Sequence, residues 1–214
     1  MEEHDANRIS VDTFDRIAAR YDARNRGVTL YDDSQALFCE LLPPGPARVL
    51  DAACGPGGIA AYVLARRPEA QVTGIDLAPA MIELARANVP AATFEVRDCR
   101  DLAGLGRKYH GIACGFGLPY LTPADTATFI ADAARILEPG GALYIGVLED
   151  IDKTVETQTY ARGERVVIHY HREADLARAF ASGGLAILDI RRKRSPGPNG
   201  QDVTDLMIVG RKAR

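Results

Sequence analysis

The feature that most constrains the fold is a glycine-rich turn that separates an apolar strand from a helix. The segment VLDAACGPGG (49–58) begins as a buried strand that ends at Asp51, and it leads into an amphipathic stretch at 57–67. Glycines in such a turn let a ligand approach the backbone closely, because a side chain would fill that space. The segment therefore predicts a strand, a ligand-binding turn and a helix, in that order.

Strands and helices continue to alternate along the chain. The pattern predicts βαβ units and a mostly parallel sheet with helices on both faces. Such a sheet binds ligands beyond the carboxyl ends of its strands, where the strand order reverses. The predicted strands are 47–53, 71–77, 93–98, 111–117 and 142–148, and the helices between them include 79–88 and 123–137. Thr122 is the expected N-terminal cap of the helix at 123–137, and we expect that helix to end at Pro139-Gly140-Gly141.

Two segments lie outside this alternation. Residues 10–40 form a helical region before the first strand, and polar residues 149–172 follow the fifth strand and contain a candidate edge strand at 165–171. A helix at 172–182 and strands at 185–191 and 203–210, joined by a loop at 195–202, complete the pattern. We expect one domain over 1–214, in which 10–40 is a cap and 149–172 an insertion.

Composition narrows the class of protein. The formal net charge is −3, from 26 Lys and Arg against 29 Asp and Glu, which argues against a nucleic-acid partner. No apolar run approaches the 18 residues of a membrane span, and the polar N-terminus is unlike a signal peptide. The cysteines are far apart and form no CxxC pair, so we expect reduced thiols in a cytoplasmic protein and no metal site. They are Cys39, Cys54, Cys99 and Cys114.

Three acids close successive strands. Asp76 follows Asp51 by 25 residues, where a carboxylate accepts hydrogen bonds from ribose hydroxyls, and Asp98 is placed to bind an adenine amine. Residues 55–60 also fit G-x-G-x-x-A, the fingerprint of NAD(P)-binding oxidoreductases. Against that alternative, four residues separate the strand from the first glycine, and Asp51 would repel a pyrophosphate.

Four segments in order resemble the successive motifs of class I S-adenosylmethionine-dependent methyltransferases. They are DAACGPG (51–57), GIDLAPAMIELAR (74–86), RDCRDL (97–102) and ILEPGGALYIGV (136–147). FDRIAARYDARN (14–25) is similar to the cap helix of small-molecule members. The resemblance implies a doubly wound α/β fold, Rossmann-like, with a mostly parallel seven-stranded sheet, an antiparallel C-terminal strand and an N-terminal helical cap. It also implies S-adenosyl-L-methionine as cofactor and methyl transfer to a small-molecule acceptor.

The resemblance also implies a set of cofactor contacts. Asp51 and the nearby backbone would hold the methionine amine and carboxylate, and Asp76 the ribose. The implied cofactor-binding residues are Tyr21, Asp51, Ala53, Gly55, Pro56, Gly57, Asp76, Leu77, Met81, Asp98, Cys99, Phe116 and Gly117. Ala53 stands where the family has its first glycine. Ala78 stands where a capping Ser or Thr is usual, a loss of roughly 1 kcal/mol. Tyr21 also belongs to a stripe at helical spacing, so a purely packing role stays open.

The acceptor side is less constrained by the sequence. Tyr120 follows the fourth strand in GLPY (117–120), which lacks the Asp or Asn of enzymes that methylate bases, and it is a candidate pocket wall. Glu149, directly after the fifth strand, is either a pocket residue or a solvated turn residue. His169 and His171 fall on one face of a strand, as candidate catalytic bases, as metal ligands or as part of a solvated edge.

The sequence leaves open the role of its basic run and whether the protein is catalytic. The basic run Arg191-Arg192-Lys193-Arg194 is more typical of a solvated face than of a nucleic-acid patch. A non-catalytic S-adenosylmethionine-binding or regulatory protein would carry the same cofactor motifs as an enzyme. A membrane partner is not expected, and a homodimer is left open.

Overall fold

The computed structural model describes residues 3–159, 162–197 and 202–214. Its centre is a seven-stranded sheet of order β3-β2-β1-β4-β5-β9-β8, and a separate two-stranded sheet pairs β6 with β7. The strands are β1 (Arg48–Ala52), β2 (Gln71–Asp76), β3 (Thr93–Val96), β4 (Tyr109–Gly115), β5 (Leu137–Glu149), β6 (Val155–Thr159), β7 (Arg165–His169), β8 (Leu185–Pro196) and β9 (Asp202–Lys212).

The sheet is doubly wound about its first strand. β1 pairs in parallel with β2 on one side and with β4 on the other, so the strand order reverses beside Asp51. β9 runs antiparallel to both β5 and β8. The predicted fold, with its antiparallel C-terminal strand, is therefore confirmed.

Helices cover both faces of the sheet. α2, α3 and α4 lie on the face of the sheet that carries Val49, and α5 and α6 lie on the face that carries Leu50. None of the helices in the described part of the chain is both long and apolar enough to cross a membrane. The helices are α1 (Glu3–Asn25), α2 (Asp32–Leu41), α3 (Gly58–Arg66), α4 (Pro79–Asn88), α5 (Pro123–Ile136) and α6 (Glu173–Ser182).

Three local predictions need correction. Thr122 caps α5 as expected, but Pro139-Gly140-Gly141 does not separate the helix from the strand, because β5 already begins at Leu137. The pairing with β4 shifts across these residues, so they form an irregularity within β5. The predicted edge strand at 165–171 is β7, and it pairs with β6 outside the main sheet. Part of the predicted loop at 195–202 is strand, and its residues 198–201 lie outside the described residues.

The predicted cap region consists of two helices with different neighbours. α2 packs against β5, β9 and α3, and so covers a face of the sheet. α1 lies against α4 on one side and against β7 on the other. α1 therefore bridges the glycine-turn half of the domain and the β6–β7 hairpin.

Candidate cofactor and acceptor site

Asp51 is a buried carboxylate with one oxygen left unpaired. Its side chain lies at the end of β1 and is 1% exposed. Oδ2 accepts a hydrogen bond from the Ala60 N–H (3.0 Å), whereas Oδ1 has no partner among the described residues. Burial, with a smaller contribution from the charge of Asp76, raises the pKa of Asp51 to about 7. A buried carboxylate oxygen without a hydrogen-bond partner is suited to bind a cationic group of a ligand, such as an ammonium.

The turn after β1 is held in left-handed backbone conformations. Gly55 and Gly57 have φ angles of 51° and 88°, and Ala53 has a φ of 52° that costs an L-residue with a Cβ about 1–2 kcal/mol. Phe116, just after β4, has a φ of 64°. Among the described residues these two are the non-glycine residues with positive φ. Backbone strain of this kind concentrates at functional sites.

The turns after β1 and β4 touch each other. A Cβ placed on Gly117 would overlap the Ala53 Cβ and lie 2.9 Å from the Cys114 Sγ, so only glycine fits there without movement. The Phe116 ring packs against Tyr31, with ring centroids 4.9 Å apart. The structure therefore brings Ala53, Phe116 and Gly117 together, as the resemblance implies.

Asp76 ties the glycine turn to the start of α4. Its Oδ2 accepts from the Gly55 N–H (2.9 Å) and its Oδ1 from the Ala78 N–H (2.9 Å). A carboxylate has about four acceptor positions, so both oxygens retain capacity for ribose hydroxyls. Burial raises the pKa of Asp76, and its backbone hydrogen bonds oppose that rise.

The cap that Ala78 cannot supply comes from α1. Asp15 Oδ1 accepts a hydrogen bond from the Ala80 N–H (2.7 Å) in the first turn of α4. Met81, in the first turn of α4, is buried and belongs to a cluster with Ala18 and Tyr21 of α1, while Leu77 is half-buried. The loss expected from Ala78 is therefore offset by a residue 63 positions earlier in the chain.

Further contacts join α1 to the glycine turn. The Asn88 Nδ2 donates to the Pro56 carbonyl oxygen (3.0 Å) and to Asp22 Oδ1 (3.3 Å). Arg26 pairs with Asp22 and also donates to Asn88 Oδ1 (2.8 Å). The carboxylate of Asp22 on α1 is thus connected to Pro56 in the glycine turn through Asn88 of α4.

Asp98 is already paired in this structure. Arg100 donates to both of its carboxylate oxygens through Nε (3.0 and 2.9 Å), and the Arg100 N–H donates to Oδ1 (2.8 Å). An adenine amine would therefore share this carboxylate with Arg100. Cys99 is buried in the same core cluster as Leu50 and Phe129, and burial raises the pKa of its thiol.

The acceptor-side residues are more dispersed than the sequence indicates. His171 is buried, and its Nε2–H donates to the Leu118 carbonyl oxygen (3.1 Å), while its backbone N–H donates to the Leu148 carbonyl oxygen (2.9 Å). Burial, and then the charge of His169, lower the pKa of His171, so the ring is neutral at pH 7. β7 ends at His169, so His171 lies beyond the strand, where its ring bonds to the 3-10 helix Leu118–Tyr120.

Glu149 is held by an ion pair. Its carboxylate accepts two hydrogen bonds from the Arg192 guanidinium (2.5 and 2.8 Å), and Arg192 also reaches Glu173. Arg191 and Lys193 pair with Asp33. Three members of the basic run thus pair with acids on α2, β5 and α6, and none of the four is buried. No group of three His, Cys, Asp or Glu side chains in the described ranges is arranged to hold a metal ion.

An aromatic chain connects the two halves of the site. The Phe14 ring contacts Tyr21 (centroids 5.6 Å apart) and Tyr120 (4.7 Å), both in edge-on geometry. The helical stripe that contains Phe14 and Tyr21 was predicted from the sequence, but its contact with Tyr120 and its polar neighbours were not. Thr13 Oγ1 donates to the Arg165 carbonyl oxygen (2.6 Å), and the Val167 N–H donates to Ser10 Oγ (3.0 Å), so α1 covers the outer edge of β7. Polar residues within an apolar helical stripe were the one available signal for them.

The sheet order, the inserted antiparallel β9 and the glycine turn at the switch point define a Rossmann-like methyltransferase fold. Residues 49–141 match the family model described as a methyltransferase domain. The matched segment is a methyltransferase domain, and it resembles those of the class I S-adenosylmethionine-dependent methyltransferases.

Similar proteins carry related names. A demethylmenaquinone methyltransferase of Deinococcus radiodurans is 32% identical over 151 residues, which are 67% of this chain and 62% of the relative. One of the same name from Thermotoga maritima is 30% identical over 62% of this chain and 58% of the relative. The match thus spans about three-fifths of the length of these curated relatives.

Solved structures share the fold. A Burkholderia thailandensis 1,6-didemethyltoxoflavin-N1-methyltransferase, solved with bound 1,6-didemethyltoxoflavin and S-adenosylhomocysteine, superposes with a TM-score of 0.71 at 23% identity. That match covers all of this chain and 92% of the other. An S-adenosylmethionine-dependent methyltransferase from Clostridium acetobutylicum gives 0.71 at 16% identity, over 94% and 99% of the two chains. At these identities the likeness establishes the fold.

Proposed function

We propose that this protein transfers a methyl group from S-adenosyl-L-methionine to a small-molecule acceptor. The observation that carries the proposal is the unpaired Oδ1 of the buried Asp51, which lies at the switch point beside the glycine turn. The names of the similar proteins support the same reaction class.

The residues present fit this cofactor. Asp51 would pair with its ammonium group, the Ala53–Gly57 turn would hold its carboxylate, and Asp76 would accept from its ribose hydroxyls. When bound, the cofactor supplies a methyl group on a positively charged sulfur. The remaining predicted contacts are Tyr21, Leu77, Met81, Asp98, Cys99, Phe116 and Gly117.

The chain's own contribution is to position the reactants and exclude water. α1 and the β6–β7 hairpin lie together over the ends of β4 and β5, and enclosure of this kind favours an in-line displacement. Tyr120 and Glu149 remain predicted pocket residues. A neutral His171, or His169 beside it, remains the predicted base for an acceptor that must lose a proton.

The partners and location complete the proposal. Demethylmenaquinone and 1,6-didemethyltoxoflavin, in the names of the similar proteins, are small molecules, which favours an acceptor of that size for this chain. We also infer a cytoplasmic protein without a nucleic-acid or membrane partner. A non-catalytic binding protein would share the cofactor site, and turnover with any acceptor would exclude it.

Calorimetric titration with S-adenosylhomocysteine, and with NADH in parallel, tests the cofactor. We expect micromolar affinity for the nucleoside, weakened at least tenfold (about 1.4 kcal/mol) by Asp76→Ala, because the ribose loses its acceptor. Asp152→Asn, an exposed acid in the insertion, is the matched control. Thermal melts of both variants check folding, since Asp76 also bonds to Gly55 and Ala78. Binding of NADH alone, or of neither ligand, would contradict the proposal.

A further inference from the structure

The β6–β7 hairpin has an inner face of mixed character. The strand register pairs Gln158 with Val166 and Glu156 with Ile168, so these side chains share one face of the hairpin. Val166, Ile168 and Tyr170 form one apolar cluster with Phe14, Tyr120 and Leu148. We refer to Glu156, Gln158, Val166, Ile168 and Tyr170 as the hairpin face.

Gln158 is the unusual member of the hairpin face. Its side chain is 5% exposed, and its Oε1 is buried without a hydrogen-bond partner among the described residues. A buried amide oxygen left unpaired costs about 1–3 kcal/mol, so such an atom requires an explanation.

The neighbours of Gln158 fix the orientation of its amide. The Tyr170 hydroxyl donates to Glu156 Oε2 (2.9 Å), and the Gln158 side chain hydrogen-bonds to the same hydroxyl. Because the Tyr170 proton is committed to Glu156, its oxygen accepts from the Gln158 amide nitrogen. The carbonyl oxygen of Gln158 is therefore the end of the amide that is left without a partner among the described residues.

The position of the hairpin face matches the acceptor side of the domain. Tyr120 lies in the 3-10 helix that directly follows Gly117 at the end of β4. The His171 N–H bonds to the Leu148 carbonyl oxygen at the end of β5 and so anchors the end of the hairpin there. The Phe14 ring joins this region to Tyr21 on the cofactor side.

The surroundings also indicate the chemistry of the ligand. Three aromatic rings (Phe14, Tyr120 and Tyr170) favour a flat, apolar molecule. The one carboxylate on the hairpin face, Glu156, is neutralised by Lys153 (3.0 Å). A neutral ring with one hydrogen-bond donor therefore fits better than a charged molecule.

We propose that Gln158 determines acceptor specificity, by accepting a hydrogen bond through Oε1 from a hydroxyl or N–H group on a neutral aromatic methyl acceptor. This inference rests on the proposed methyltransferase function and assigns its substrate class. Gln158 acts in binding and selection, and takes no part in moving the methyl group.

The test measures binding of two matched probes to the protein saturated with S-adenosylhomocysteine. 1-Naphthol carries a donor, and 1-methoxynaphthalene presents the same ring without one. We expect wild type to bind 1-naphthol at least tenfold more tightly, because the ether leaves Oε1 unpaired. Gln158→Met, similar in length but without an acceptor amide, should reduce that preference to threefold or less. Thr157→Leu, on the exposed opposite face of β6, should keep the wild-type preference.

The outcomes separate this inference from the proposed function. Failure of S-adenosylhomocysteine to bind would refute the function and the inference together. Normal binding of S-adenosylhomocysteine, with no preference for 1-naphthol in wild type or with neither probe bound, would overturn the role of Gln158 alone. A tenfold preference that persists in Gln158→Met would do the same. Gln158→Leu provides the same comparison if the methionine variant does not fold.

Discussion

Replacing Asp51 with Asn should stabilise the protein at high pH while it weakens cofactor binding. The pKa of this carboxyl rises from its ordinary value of 3.8 to about 7 in the folded state. At pH 8 the folded protein therefore holds a charge that burial disfavours, at a cost of about 4 kcal/mol from the linkage of pKa to stability. Asn removes the charge but buries an amide N–H without a hydrogen-bond partner, at a cost of about 1–3 kcal/mol. We expect a net gain of about 1–3 kcal/mol at pH 8.

The pH dependence is the sharper measurement. Because the folded state binds the proton more tightly than the unfolded state, the contribution of Asp51 to stability is full below about pH 4. It is lost as the pH rises through 7. Between pH 5 and pH 8 the stability of wild type should fall by about 2–3 kcal/mol relative to Asp51→Asn. Urea unfolding of both proteins at pH 5, 6.5 and 8, with Asp152→Asn as control, measures this difference.

Cofactor binding gives the complementary readout. An ammonium group beside Oδ1 requires the carboxylate, so S-adenosylhomocysteine should bind wild type roughly tenfold more tightly at pH 8 than at pH 6, with release of a proton. Titrations in buffers of different ionisation enthalpy detect that proton. A stability difference that stays constant from pH 5 to pH 8, or binding without proton release, would refute the reasoning about Asp51.

Two further predictions concern the backbone around the same site. Ala53→Gly should raise the melting temperature by about 2–4 °C, because the strain relieved at the positive φ outweighs the extra conformational entropy of glycine in the unfolded chain. An unchanged or lower melting temperature would mean that the turn is unstrained. Asp15→Ala should lower the melting temperature by about 2–4 °C, through loss of the hydrogen bond that caps α4 at Ala80. Asp12→Ala is the control, because Asp12 is an exposed residue on the same helix, and it should change the free energy of unfolding by less than about 0.5 kcal/mol. An equal loss of stability in Asp15→Ala and Asp12→Ala would contradict the capping role of Asp15.

The central sheet could be predicted from the sequence because its signals are local. Each parallel strand is a short apolar run, and each following helix has its own periodicity. The residues at the strand ends, Asp51 and Asp76, lie where this pattern predicts them, on either side of the glycine turn. The ends of the strands have weaker local signals. Pro139-Gly140-Gly141 has the composition of a turn, yet it lies within β5, whose other residues pair with β4 and β9.

The rest of the site depends on contacts between residues far apart in the chain. The Ser10 hydroxyl meets Val167 across 157 positions, and nothing local distinguishes it from a solvent-facing serine. The same holds for Asp15 and Ala80. Arg192 and Glu149 meet only because the register of β8, β9 and β5 sets them side by side, and register is not readable from a charged run.

Helix α1 contacts both proposed ligand regions, so we expect binding in one region to affect binding in the other. Its side chains bond to the start of α4 through Asp15 and to the edge of β7 through Ser10 and Thr13. We expect a ligand that draws α1 towards α4 to shift the β6–β7 hairpin as well, because α1 is hydrogen-bonded to both. Such a coupling is reciprocal, so the factor by which cofactor improves acceptor affinity equals the factor by which acceptor improves cofactor affinity. We therefore expect the two products of the proposed reaction to be released together with a movement of α1.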